Sequence, residues 1–89
     1  MSRPWEADPT ADLSKRLGKS ALELGETTGS PSCPDIWELS NGDIAIIGRD
    51  LTRAYGARLP QGVSIGEDER LVVIPRSMIV TAKPDMPDA

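Results

Sequence analysis

The segment spanning residues 36–48 constrains the fold of this chain more than any other. It consists of two largely apolar stretches, residues 36–39 and 44–47, on either side of Asn41-Gly42. Asn and Gly are the residues that best tolerate the positive φ angles that a two-residue type I′ turn needs at both central positions. The segment therefore predicts a β-hairpin whose turn is Asn41-Gly42.

The pairing set by this turn divides the hairpin into two faces. On one face Leu39 lies opposite Ile44 and Trp37 lies opposite Ile46, so we expect that face to be buried and Trp37 to anchor the core. The second face is polar near the turn and apolar only at its base, so we expect it to be partly covered or to contact a partner. The apolar residues of this second face are Ile36, Ala45 and Ile47.

An amphipathic helix is predicted for residues 10–25. One apolar stripe runs along it at helical spacing, formed by Leu13, Leu17, Ala21 and Leu24. Gly25 is suited to end the helix. Because the stripe is narrow, the helix is expected to be stable only when its leucines dock on another surface.

The C-terminal half predicts one further strand and one or two short helices. Asp50 or Thr52 can cap a helix that ends at Gly56. The continuous apolar stretch 71–74 indicates a strand buried on both faces. Residues 77–83 fit either a strand or a short helix, and we favour the helix.

These elements predict a small α+β fold with a three-stranded, mainly antiparallel sheet. The expected order is an unstructured arm at 1–9, the amphipathic helix at 10–25, a linker at 26–34, a compact domain at 35–83 and a tail at 84–89. Cys33 lies in the linker, and we interpret it as a small buried hydrophobe rather than a reactive thiol.

Composition excludes several classes of function. The 89 residues contain no histidine and one cysteine, which removes the commonest general base and any structural zinc site built from one chain. No phosphate-binding glycine motif is present. We therefore expect no enzyme activity, no cofactor and no metal. With no apolar run of about 20 residues and no signal sequence, the chain is expected to be cytoplasmic and not membrane-bound.

The small size of the compact part favours a protein that associates with other proteins. The compact part is small enough that its apolar burial only offsets the entropy cost of ordering, about 1.5 kcal/mol per residue. Oligomerisation or a protein partner is then the remaining stabiliser. The expected contact residues are Ile36, Ala45 and Ile47 of the hairpin, Leu13, Leu17 and Leu24 of the helix, and Trp5 of the arm.

Three functions follow from these features. The first is a non-enzymatic interaction module that self-associates or binds a transcription regulator. The second is a DNA-binding or antitoxin-like regulator using Arg49, Arg53 and Arg76, which the net charge of −4 makes unfavourable. The third is an accessory subunit of a biosynthetic or modifying enzyme.

Three blocks of the sequence resemble known small proteins. They are residues 33–39, residues 42–52, and residues 71–76, which end in Ile74-Pro75-Arg76. Together they look like a group of small actinomycete proteins and are loosely similar to the BldB-like small regulators. That family has a Cys before a hairpin, an Arg-Asp pair after it, and a third strand leading into a short helix. The resemblance implies a small dimeric partner of helix-turn-helix regulators, without enzyme activity. Residues 69–79 also resemble the strand–Ile-Pro–helix signature of AbrB/MazE-type swapped-hairpin proteins, which bind DNA.

Overall fold

The computed structural model describes residues 5–25 and 34–86. Within these ranges the chain is α+β and forms five short strands and two short helices. The strands are β1 (Leu13–Arg16), β2 (Asp35–Leu39), β3 (Ile44–Ile47), β4 (Arg49–Asp50) and β5 (Val72–Val73). The helices are α1 (Thr52–Tyr55) and α2 (Arg76–Ala82), and a 3₁₀ turn (Lys83–Asp85) follows α2. Of the predicted linker at 26–34, all residues except Pro34 lie outside the described ranges, and so does Cys33.

The main sheet has three antiparallel strands in the order β1-β2-β3. Leu13 lies opposite Leu39, and Arg16 lies opposite Trp37. The helix predicted for residues 10–25 is therefore wrong, since residues 13–16 are a strand. The prediction of a three-stranded antiparallel sheet is confirmed, but the third strand of that sheet is β1 rather than residues 71–74. The compact unit consequently includes residues N-terminal to 35.

The β2–β3 connection is a three-residue loop rather than the two-residue turn that was predicted. The Gly42 N–H donates to the Leu39 carbonyl at 2.9 Å, and the Leu39 N–H donates to the Asp43 carbonyl at 2.8 Å. Gly42 has a φ of 91°, whereas no described residue other than glycine has a positive φ. This is the pattern of a turn followed by a left-handed glycine bulge. Asn41 contributes through its side chain, which accepts the Asp43 N–H at 2.9 Å.

The longer loop shifts the hairpin register by one residue. Ile36 pairs with Ile46 and Trp37 pairs with Ala45. A one-residue shift moves side chains to the opposite face. The predicted pairing of Trp37 with Ile46 is therefore wrong, and so is the expectation that Trp37 anchors the core. Trp37 is only half-buried, on the face of β2 opposite to Ile36.

The core lies between the sheet and α2. Ile36 and Leu17 are completely buried against Met78 and Ala82, which are four residues apart on one face of α2. The helix favoured for residues 77–83 is thereby confirmed. Ala21 is also buried, so the core among the described residues is formed by only a few side chains.

β4 and β5 form a second antiparallel sheet, with only two residues in each strand. Arg49 of β4 lies opposite Val73 of β5. Gly48 permits this arrangement, because a Cβ at that position would lie 2.7 Å from the Val73 carbonyl oxygen. Val72 and Val73 are 39% and 40% exposed, so the prediction that residues 71–74 form a strand buried on both faces is wrong.

Candidate interaction surface

The outer edge of β3 is an exposed, uncharged and apolar strand edge. β3 is the last strand of the sheet, and no other strand among the described residues pairs with its outer side. Ile44, Ile46 and Ile47 are 40%, 43% and 48% exposed. Natural edge strands usually carry a charge, a proline or a bulge that blocks pairing with another chain. Residues 44–47 carry none of these.

Backbone hydrogen-bonding groups are available along this edge. Bonded and non-bonded residue pairs alternate in an antiparallel ladder. Because Leu39 bonds to Asp43, the next bonded pair is Trp37–Ala45 and the Glu38–Ile44 pair is non-bonded. The N–H and C=O groups of Ile44 and Ile46 are thus directed away from β2, towards the free edge.

The side chains of β3 continue both faces of the sheet. Residues directly opposite each other in a pair share a face, so Ile46 lies on the same side as the buried Ile36. Ala45 and Ile47 lie on the other side. A strand added to β3 would therefore extend the apolar core side of the sheet as well as its backbone ladder.

The N-terminal segment lies against the turn next to this edge. The Trp5 indole N–H donates to Asp43 Oδ2 at 3.2 Å. Ser40 and Asp12 exchange two bonds, because the Ser40 N–H donates to the Asp12 carbonyl at 2.8 Å and the Asp12 N–H donates to Ser40 Oγ at 3.0 Å. The Trp5 ring remains 58% exposed.

The predicted contact residues differ widely in exposure. Ile36 and Leu17 are completely buried, so their prediction as surface contacts is wrong. Leu24 packs against the core. The exposed members are Trp5, Leu13 and Ile47, whereas Ala45 is half-buried.

Sequence reasoning missed the two residues that characterise the edge, Ile44 and Ile46. The assumed two-residue turn assigned both to the buried face in the wrong register. The signal for the observed loop is Asp43 after Asn41-Gly42: an Asn side chain that bonds two residues ahead favours a turn of another type. The unbroken apolar stretch 44–47 also differs from the alternation expected of a strand with one exposed face.

Arg16, Asp35 and Trp37 form a closed cluster on the face opposite to the core. Arg16 Nε and Nη2 donate to the two carboxylate oxygens of Asp35 at 2.9 and 3.0 Å. The guanidinium also lies over the Trp37 ring, 4.8 Å from its centroid. Hydrogen bonding to Asp35 raises the pKa of Arg16. Because Asp35 is 6% exposed and doubly bonded, this cluster joins β1 to β2 rather than forming an open site.

A shallow cavity of about 580 Å³ lies in the loop between α1 and β5. Polar groups around it are bonded to one another: Glu69 Oε1 accepts the Gly66 N–H at 2.7 Å, and Arg70 Nη1 donates to the Glu67 carbonyl at 2.9 Å. Thr52 Oγ1 accepts the Leu71 N–H at 2.8 Å. In the described part of the chain no buried side-chain polar atom lacks a hydrogen-bond partner. These three hydrogen bonds are internal to the protein and hold the loop in its observed shape.

The remaining candidate residues lie on three different elements. Arg49, Arg53 and Arg76 are exposed, on β4, α1 and the first turn of α2. Residues 5–25 and 34–86 contain no cluster of side chains arranged to hold a metal ion. They also include no helix with the length and apolar character needed to cross a bilayer.

Comparison of the chain with protein-family models, with curated proteins and with solved structures gave no match.

Proposed function

We propose that this chain is a non-enzymatic protein-interaction module that self-associates through the free edge of β3. The observation that carries the proposal is the edge itself, which is exposed, uncharged and apolar and has outward backbone groups at Ile44 and Ile46. Strand addition at such an edge combines main-chain hydrogen bonds with burial of alternate side chains.

The small core supports the same proposal. Only four buried residues make up the central cluster, while large apolar side chains on β3, β5 and α2 remain exposed. Covering apolar surface contributes roughly 25 cal/mol per Å². Pairing of two β3 edges would remove apolar surface from water without exposing any buried group.

Sedimentation of the purified chain tests the proposal. We expect a dimer that dissociates on dilution. Ile46→Lys should give a monomer, because a lysine on an edge strand blocks pairing with another chain. Val63→Lys is the matched control: Val63 is 52% exposed in the loop after α1, and the substitution adds the same charge elsewhere.

Two results would contradict the proposal. One is a wild-type chain that remains monomeric up to millimolar concentration. The other is a dimer that Ile46→Lys and Val63→Lys weaken equally, because the contact would then lie away from β3.

A further inference from the structure

We infer that the partner of β3 is a second copy of β3, antiparallel to it about a two-fold axis at Ile46, with Asp43 and Arg49 as the residues that recognise each other. This inference rests on the proposed function and adds the register and the specificity. Its basis is the arrangement of charge around the apolar strand. Asp43 precedes residues 44–47, and Arg49 follows them after Gly48.

Symmetry restricts the possible registers. With a two-fold axis perpendicular to the sheet, the same face of both copies lies on the same side of the combined sheet. Neighbouring residues of a strand point to opposite faces. Residues opposite each other across the axis must therefore be separated by an even number of positions. Ile46 can lie opposite the partner's Ile46, but it cannot lie opposite the partner's Ile47.

Charge selects one register among those that remain. With the axis at Ile46, Asp43 lies opposite the partner's Arg49, and the same pair forms again on the other side of the axis. Opposite charges across two strands stabilise the pairing. With the axis at Ala45, Asp43 would instead lie opposite the apolar Ile47 of the partner.

The backbone and side chains agree with this register. The outward groups of Ile46 would bond with those of the partner's Ile46, as a closely spaced pair of the ladder. Ala45 would lie opposite the partner's Ile47, so a small residue faces a large one. Both charged residues are accessible: Arg49 is exposed and Asp43 half-buried. The Trp5 contact uses only Oδ2 of Asp43.

Charge reversal tests the register in the full-length chain. Asp43→Lys and Arg49→Glu each place two like-charged pairs across the axis, so each variant alone should dimerise roughly tenfold more weakly than the wild type. Mixed together, the two variants restore complementary pairs on both sides. Native mass spectrometry of an equimolar mixture should therefore show the mixed dimer well above the half expected of random pairing. The double variant should dimerise like the wild type.

Glu67→Lys and Arg53→Glu are the matched controls, because they make the same changes of charge at exposed positions away from β3. An equimolar mixture of these two variants should form mixed dimers at the random proportion of one half. A wild-type dimer that Ile46→Lys abolishes, but whose charge-reversal variants dimerise normally and mix at random, would overturn the register and leave the proposed function standing. A monomeric wild type would overturn both. Misfolding of a single variant cannot imitate the expected result, because a misfolded chain would not form the mixed dimer.

Discussion

At the scale of single residues, Gly18 is a position where the fold leaves no room for a side chain. It has a φ of 76°, and a Cβ there would lie 2.6 Å from the Ala82 backbone nitrogen and 2.7 Å from Thr81 Oγ1. Its N–H donates to Asp85 Oδ2 at 2.8 Å. The glycine thus lets the chain turn after β1 directly against the end of α2.

Gly18→Ala should lower the free energy of unfolding by about 2–4 kcal/mol, from the left-handed backbone together with overpacking. Urea denaturation measures this effect. Gly62→Ala is the matched control, since Gly62 has a φ of 87° but no atom within 4 Å of its would-be Cβ. The free energy of unfolding of Gly62→Ala should fall by only about 1–2 kcal/mol, the cost of the left-handed backbone alone. Equal losses in the two variants would mean that Gly18 is not closely packed on α2.

Glu23 provides a residue-scale prediction about pH. Its Oε1 accepts the Ser20 N–H and hydroxyl, both at 3.0 Å. The backbone bond, followed by the side-chain bond, lowers the pKa of Glu23. A lowered pKa means that the carboxylate stabilises the folded state above the pKa of the unfolded chain and loses this effect as the pH falls through the folded value.

Ser20→Ala should therefore raise the pKa of Glu23 towards its ordinary value, without reaching it because the backbone bond remains. NMR titration of the side-chain carboxyl carbon gives the shift, with Ser14→Ala as the control on exposed β1. The stability difference between Ser20→Ala and the wild type should shrink at acid pH. A Glu23 titration unchanged by Ser20→Ala would disprove the contact.

At the scale of elements, β1 shows how far the sequence could predict the fold. Leu13 and Leu17 are four residues apart, which is the spacing of one helix face. However, a strand followed by a turn at Gly18 places the first at 53% exposure and the second at 0%. The helical pattern was accidental, and pairing of Leu13 with Leu39 is a long-range contact that local spacing cannot reveal. The α2 helix was predictable because Met78 and Ala82 share one face within the element itself.

A pair of alanine substitutions distinguishes the strand from the predicted helix. Leu17→Ala should cost about 2–5 kcal/mol, because it empties part of the core. Leu13→Ala should cost about 0.5 kcal/mol or less, as for most exposed positions. Chemical denaturation of the two variants gives the comparison. Similar losses at both positions would favour a helix with both leucines on its buried stripe.

The same reasoning applies to the candidate interaction surface. The sequence correctly indicates an apolar hairpin with little charge, but the choice between a two-residue and a three-residue loop decides which isoleucines reach the surface. Asn41-Gly42 is compatible with both loops. The difference depends on the φ of Asn41, which local composition does not determine. The exposed edge formed by Ile44 and Ile46 could therefore not be predicted without knowing the hairpin register.

At the scale of the whole molecule, the proposed pairing of two β3 edges would make folding and association interdependent, because the core is small and the strand edge is exposed. The central cluster has four buried members, two of them on α2, and the exposed isoleucines of β3 continue the same sheet. The net charge of −4 opposes bringing two copies together, so the proposed contact would have to be local and apolar. Paired charges at its ends would reduce the repulsion.

Interdependence of this kind predicts that the melting temperature of the chain depends on its concentration. If the dimer unfolds to two separate chains, a hundredfold increase in concentration adds about 2.7 kcal/mol to the apparent stability. For a dimer of this size each kcal/mol raises the melting temperature by about 2–4 °C, giving about 5–10 °C in total. Ile46→Lys should melt lower and at one temperature across the whole range, whereas Val63→Lys should retain the wild-type dependence. A wild-type melting temperature that does not change with concentration would show that the three-stranded sheet is stable without a second copy, and that any contact at β3 forms only after folding is complete.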